Sequence, residues 1–232
     1  SLFFGQSSFS QYVVTRASNA VVVDPEVDLT LLGPLGCGIQ TGSGTVLNRL
    51  KPVVGESLVV FGCGAVGLSA IMAAKLTGCS QIIAVDIHAS RLALAGELGA
   101  THQINGKEQD AVAVIKQITG KGAHYAVETT GVSAIVLQAV HAVKPLGTVA
   151  IVGFTGDITL NVQNDLMAEG KSLVGVIEGD AVPALFIPLL VQLYKQGKFP
   201  IDKLIARYPL ADINQAFADS ASGKVIKPVV VM

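Results

Sequence analysis

Three glycines, Gly62, Gly64 and Gly67, stand at G-x-G-x-x-G spacing in Val59-Val60-Phe61-Gly62-Cys63-Gly64-Ala65-Val66-Gly67-Leu68-Ser69-Ala70. The apolar run Leu58 to Phe61 predicts a buried strand before them. The Ala-rich stretch Ala65 to Leu76 predicts a helix after them. Strand, turn and helix are the context in which this spacing acquires a meaning. Gly62 permits a tight turn, Gly64 lets a pyrophosphate approach the backbone, and Gly67 lets the helix lie close on the strand. The free N–H groups of the helix start, at Ala65 and Val66, then hold phosphate with the macrodipole behind them. A second signal follows in Gln81-Ile82-Ile83-Ala84-Val85-Asp86, where Asp86 closes the next apolar run 19 residues after Gly67. A carboxylate there accepts hydrogen bonds from ribose hydroxyls and repels a 2′-phosphate, favouring NAD over NADP. Alone, Asp86 reads equally as a solvated turn residue. With the glycine turn it points to a dinucleotide.

Other chemically capable residues give weaker signals. Cys37, Cys63 and Cys79 contain no C-x-x-C pair, and three cysteines cannot all pair, which suits a reducing, cytoplasmic compartment. Cys63 sits at the helix start, where a thiolate would be favoured, although a small residue filling the turn is the simpler reading. His88, His102, His124 and His141 have no metal-ligand spacing. Tyr194 and Lys198 fit Y-x-x-x-K, a catalytic pair in short-chain dehydrogenases. Here Gly197 and Pro200 surround the lysine at a helix end, which argues against that use.

Composition narrows the classes. The chain has 232 residues, with 16 basic against 17 acidic side chains, so no basic stripe suggests nucleic acid or a membrane surface. At this size roughly 70% of the unfolded surface is buried, ample for one large domain with a smaller appendage. Charged residues make up 14%, against about 25% in typical soluble domains. A sheet covered on both faces accounts for part of that, and surface facing another domain or subunit accounts for the remainder. Ser57 to Ala74 carries no charge over 18 residues, close to a spanning length, but its glycines cluster at a turn that breaks a spanning helix. No basic-then-apolar leader opens the chain.

The elements that must position the turn alternate along the chain. Ser10 to Val14 and Ala20 to Val23 predict two short strands, with Asn19 and Pro25 as turns. Helical spacing runs across Thr41 to Leu50. After Asp86 come a helix over Ser90 to Leu98 stopped by Gly99, a strand over Thr101 to Asn105 and an amphipathic helix over Asp110 to Ile118. A strand over His124 to Glu128 ends in Thr129-Thr130-Gly131. A helix over Val132 to Val143 is stopped by Pro145, and strands follow at Thr148 to Phe154 and Ser172 to Ile177. Six strands with intervening helices predict an α/β fold, a doubly wound, mostly parallel six-stranded Rossmann sheet in the order 3-2-1-4-5-6. Ligands then bind at the carboxyl ends of the strands, where Asp86, Thr130, Gly131, Val152 and Gly153 lie. Beyond residue 181 the pattern changes to a helix over Ala184 to Gln196 containing Pro188, a helix over Ala211 to Ala218 and a terminal strand over Lys227 to Met232. These pieces are expected to pair with the opening strands.

The run Leu32-Gly33-Pro34-Leu35-Gly36-Cys37-Gly38-Ile39-Gln40-Thr41-Gly42, taken with the glycine turn, Asp86 and the terminal Ser222-Gly223-Lys224-Val225-Ile226-Lys227, resembles the zinc-containing medium-chain alcohol dehydrogenases, especially the aryl-alcohol branch. The likeness covers essentially the whole chain. It implies that Cys37 is a ligand of a catalytic zinc, that Thr41 borders the nicotinamide, that Arg91 lies near the adenosine and that Lys227 reaches the pyrophosphate. It also implies a dimer built through the edge strand at residues 173–177. The activity implied is NAD-dependent, zinc-assisted oxidation of an alcohol, such as a primary aromatic one, to an aldehyde. The small-molecule alcohol or aldehyde is then the partner, with no nucleic acid or membrane. The family's amino-terminal GroES-like catalytic domain, with its Gly-His-Glu histidine and four-Cys structural zinc site, has no counterpart here. The expected division is therefore residues 1–38 as the tail of that domain, 39–180 as the NAD-binding domain and 181–232 as the return to the catalytic domain. Such a truncated chain is expected to bind NAD with little or no turnover, since a catalytic zinc needs three protein ligands. A zinc-free quinone oxidoreductase and a non-catalytic NAD-binding module are the alternatives. A methyltransferase, which also uses a glycine turn, would want an acidic residue where Val60-Phe61 stand.

Overall fold

The computed structural model describes residues 9–232, so the apolar opening Ser1 to Phe4 lies outside the described residues. Two compact units divide the chain, one comprising residues 37–181 and the other the segments up to 36 and from 182 onward.

The larger unit opens on a buried helix, α1 (Gly38–Gly44), continued by a wider turn over Thr45–Leu50. Then strand and helix alternate as β1 (Ser57–Phe61), α2 (Ala65–Leu76), β2 (Gln81–Asp86), α3 (Ala89–Leu98), β3 (His102–Asn105), α4 (Ala111–Thr119), β4 (Ala123–Glu128), α5 (Ser133–Ala142), β5 (Val143–Ile151) and β6 (Ser172–Gly175). The six strands form one parallel sheet in the order β3-β2-β1-β4-β5-β6, as the alternation predicts. β1 is buried along its whole length, the signature of a central strand covered on both faces. Leu58, Val59, Val60 and Phe61 are each at most 1% exposed, and burying each contributes about 1.5–3 kcal/mol.

The helices form for local reasons as well. The Asp110 side chain accepts a hydrogen bond from the Ala113 N–H at 3.2 Å, capping α4. On that helix Ile115 is fully buried, and Val112 and Ile118 are packed on the same core. α3 ends at Gly99, whose φ of 129° suits glycine alone.

Several expected boundaries move. α5 ends at Ala142, before Pro145 can stop it, because Val143 already turns extended and pairs with Ala123. Lys144 to Gly147 then bulge opposite His124, with Leu146 at φ 64°. β5 therefore ends at Ile151, so Val152, Gly153 and Phe154 lie beyond the strand. β6 ends at Gly175, leaving Val176 and Ile177 outside it.

In the smaller unit, Ser10 to Val14 and Ala20 to Val23 are not strands. The terminal strand β8 (Lys227–Val231) pairs in parallel with β7 (Ile205–Pro209) instead. Helix α6 (Pro183–Lys195) holds Pro188 internally, and α7 (Ile213–Ala221) starts two residues later than its pattern suggests. Arg207 pairs with Asp28 at 2.6 Å, and Lys195 with Asp24, tying the opening segment to this unit. Among the described residues no helix is long and apolar enough to cross a membrane.

At the amino-terminal end of the sheet, the Ser57 N–H donates to His124 Nδ1 at 3.1 Å, with Ser57 Oγ 2.8 Å from the same nitrogen. Nδ1 must therefore be an acceptor, which requires the neutral ring. Burial, and then the Lys144 ammonium, lower the His124 pKa below the ordinary histidine value, against a smaller opposing pull from Glu56. The unfolded chain then binds this proton more readily than the folded one. Stability from this contact is complete above the ordinary histidine pKa of about 6.5 and is lost as pH falls through the lower folded value. We expect the thermal midpoint to drop on acidification below pH ~6.5, and His124→Asn to flatten that part of the curve. Superimposable wild-type and variant slopes between neutral and mildly acidic pH would contradict the assignment.

Candidate functional site

The carboxyl ends of β1, β2, β4 and β5 meet around the glycine turn. Gly62 takes φ 91°, and its N–H donates to the Val85 carbonyl at 2.8 Å. Only glycine adopts that conformation without strain. At Gly67 a Cβ would stand 1.8 Å from the Gly62 carbonyl oxygen, so α2 sits on the turn as closely as backbone allows. At Gly64 a Cβ would meet nothing within 4 Å. Gly64 is also the residue before α2, and no side chain caps the helix there. The first-turn amides, at Ala65, Val66 and Gly67, therefore lie at an open rim, the arrangement that binds anions.

Asp86 ends β2 beside this turn and is 7% exposed. Its Oδ2 accepts from the Cys63 N–H at 2.6 Å, and its Oδ1 accepts from the N–H groups of Ile87 and His88 at 2.7 and 2.9 Å. A carboxylate has about four acceptor positions, so Oδ2 retains room for one further donor. The bland reading of Asp86 as a solvated turn residue is thereby excluded. Arg91, on α3, buries its Nε without a hydrogen-bond partner. An orphaned buried donor calls for a ligand acceptor or an ordered water. Both observations suit a dinucleotide with a ribose hydroxyl at Asp86.

On the other side of β1 the rim is tied down by a residue that sequence reasoning passed over. Glu128, the last residue of β4, is fully buried. Its Oε1 accepts from the Thr130 N–H at 2.6 Å, from the Thr130 hydroxyl and from the Gly131 N–H at 3.2 Å. Its carbonyl accepts from the N–H groups of Val152 and Gly153. Thr130, Gly131, Val152 and Gly153 are thus brought together as the strand ends suggest. An acidic residue closing an otherwise apolar run, as at Asp86, was the available signal for Glu128.

α1 lies against the start of α2. A Cβ on Gly42 would be 1.9 Å from the Val66 carbonyl, and Ser69 Oγ lies 3.5 Å from the Gly38 carbonyl. Thr41, 8% exposed, is thereby held beside the turn. Cys37 stands exposed just before α1. Among the described residues no three His, Cys, Asp or Glu side chains cluster as a metal site would need. Cys37 by itself does not fit a catalytic zinc, which takes three protein ligands. Lys227 is on β8, in the unit that does not contain the glycine turn.

The remaining candidates are structural. Cys63 is fully buried, and burial followed by the Asp86 charge pushes its thiol above the ordinary range, which disfavours the thiolate. Burial also raises Cys79. Tyr194 falls in the last turn of α6, Lys198 lies past its end, and both belong to the smaller unit.

A family described as zinc-binding dehydrogenase matches residues 65–195. The chain belongs to that family. It is 44% identical to the geraniol dehydrogenase of Castellaniella defragrans, over 100% of this chain and 63% of that protein. It is 34% identical to alcohol dehydrogenase 1 of Pisum sativum, over 99% of this chain and 62% of that one. Among solved structures, the benzyl alcohol dehydrogenase of Acinetobacter calcoaceticus superposes with a TM-score of 0.95 at 52% identity, covering 98% of this chain and 64% of that one. An alcohol dehydrogenase zinc-binding domain protein from Burkholderia ambifaria gives 0.96 at 52% identity, covering 99% and 63%. The chain thus spans a little under two thirds of the length of these relatives.

The contact of Gly67 with the Gly62 carbonyl predicts that Gly67→Ala forces α2 off the turn. We expect a loss of about 1–3 kcal/mol, read as a lower denaturation midpoint. An unchanged midpoint would mean that the helix is not seated as described.

Proposed function

We propose that residues 37–181 bind NAD(H) at the glycine turn and that the chain is the coenzyme-binding part of a zinc-type alcohol dehydrogenase. The observation carrying this reading is the open space at Gly64, flanked by uncapped helix amides on one side and the Asp86 carboxylate on the other. The pyrophosphate rests on the amides of Gly64, Ala65, Val66 and Gly67. Asp86 accepts an adenosine ribose hydroxyl at its remaining acceptor position and repels a 2′-phosphate. Arg91 donates near the adenosine. Thr130 with Gly131, and Val152 with Gly153, line the path of the second nucleotide, and Thr41 closes its far end. Bound NAD⁺ supplies the hydride acceptor.

The names of the relatives support an alcohol-to-aldehyde reaction, with a primary aromatic or allylic alcohol as the substrate class. Cys37 serves as one zinc ligand in that enzyme. Among the described residues Cys37 belongs to no group of three metal-capable side chains, so the other ligands of that zinc are not among them. The smaller unit is read as belonging to the GroES-like catalytic domain. A homodimer through the edge strand β6 is supported by its place at the sheet margin and by Ile177, 83% exposed just after it. Cys37, Cys63 and Cys79 form no disulfide with one another, which suits the cytoplasm.

Calorimetry with NADH and NADPH tests the reading. The chain should bind NADH and prefer it to NADPH. Gly64→Ala, which meets no steric obstacle in the protein itself, should keep the native midpoint and weaken NADH about tenfold or more by occupying phosphate space. Asp86→Asn should lower the preference for NADH over NADPH about tenfold. Absence of binding by the folded wild-type chain would overturn the proposal.

A further inference from the structure

The segment after β6 has a conformation that local sequence does not favour. Glu178, Gly179 and Asp180 take φ values of 50°, 67° and 49°, three left-handed residues in succession. Two of them carry side chains, and such geometry persists only where its surroundings impose it.

Those surroundings are α1 and the turn that continues it. Gly179 and Gly44 meet backbone to backbone, so that a Cβ on Gly44 would stand 2.4 Å from the Gly179 carbonyl oxygen. That same carbonyl accepts from Asn48 Nδ2 at 3.0 Å, and Arg49 pairs with Asp180 at 3.3 Å. The outcome is a fixed Glu178 carboxylate. Its Oε2 accepts from Gln40 Nε2 at 2.9 Å and lies 3.4 Å from the Thr41 hydroxyl. Among the described residues Oε1 accepts no hydrogen bond.

We propose that Glu178 places a negative charge at the nicotinamide end of the coenzyme and biases binding toward the oxidised form. The inference rests on the NAD-binding reading above. Asp86 on β2 marks the adenosine side of the glycine turn. The other half of a dinucleotide must then cross the switch point between β1 and β4 and extend over the carboxyl ends of β4, β5 and β6. Glu178 follows β6 at that rim and is anchored to α1, which itself rests on the start of α2. The oxidised nicotinamide ring is a cation and the reduced ring is neutral. A fixed carboxylate in a partly buried site therefore stabilises the oxidised form selectively. Glu178 acts here by charge and position, with no proton or hydride passing through it.

The test is direct binding of NAD⁺, NADH and ADP-ribose to the 232-residue chain and three variants. Glu178→Gln retains an oxygen acceptor for Gln40 and Thr41 and removes only the charge. It should weaken NAD⁺ about fivefold, with NADH and ADP-ribose within about twofold of wild type. Glu178→Asp keeps the charge and tolerates a left-handed φ better, so it should retain most of the wild-type NAD⁺-to-NADH affinity ratio. Asp180→Asn, which removes a charge already paired with Arg49, should leave that ratio unchanged. If ADP-ribose binds and Glu178→Gln leaves the ratio at its wild-type value, the proposal for Glu178 is wrong while the NAD-binding reading stands. If ADP-ribose fails to bind the wild-type chain, both are wrong.

Discussion

Everything at the rim depends on how closely α2 is seated on β1. The carbonyl of Gly62 occupies the space where any side chain on residue 67 would have to go. That contact sets the start of the helix at Ala65 and directs its first amides outward at the open side of Gly64. The cost of leaving those amides without a capping side chain is tolerable only at a solvated or ligand-bound rim. An open, uncapped helix start is thus a consequence of backbone packing, before any charged side chain is considered.

The charged side chains then make the rim rigid. Asp86 and Glu128 close β2 and β4; Asp86 accepts from backbone N–H groups of the glycine turn after β1 and of the turn after β2, and Glu128 from those of the turn after β4. Each is a buried carboxylate satisfied by several donors, the condition under which burial of charge is sustainable. The loops after β2 and β4, the strands on either side of β1, are held in this way on opposite sides of the switch point. α1 completes the frame by packing its small residues, Gly38 and Gly42, on the beginning of α2, and so carries Thr41 and Gln40 to the same rim.

Much of this was legible in the sequence, for identifiable reasons. A parallel sheet buries its strands on both faces, so Leu58 to Phe61 and Ile82 to Val85 read as unbroken apolar runs. The helices between them carry caps and periodicity, and strand order followed from alternation together with the glycine turn. What escaped depended on tertiary context. β7 contains Arg207 and Pro209 and is only half-buried, so nothing in its pattern announces a strand. The segments from Ser10 and Ala20 have strand-like composition but, among the described residues, no neighbouring strand to pair with. The bulge at Lys144 to Gly147 lets β5 begin before Pro145, contrary to the usual reading of proline as a boundary. Glu128 and Glu178 look like ordinary polar residues until the loops they hold are seen. Cys63 stands at a helix start, yet its complete burial outweighs the helix dipole.

The central claim is that a nucleotide diphosphate rests on the amides that begin α2. Amide chemical shifts of the chain, followed while ADP-ribose is added, read those groups directly. The account predicts the largest perturbations at Gly64, Ala65, Val66 and Gly67, with Ile87 and His88 responding through Asp86. Saturable binding that leaves residues 64–67 unmoved would contradict it.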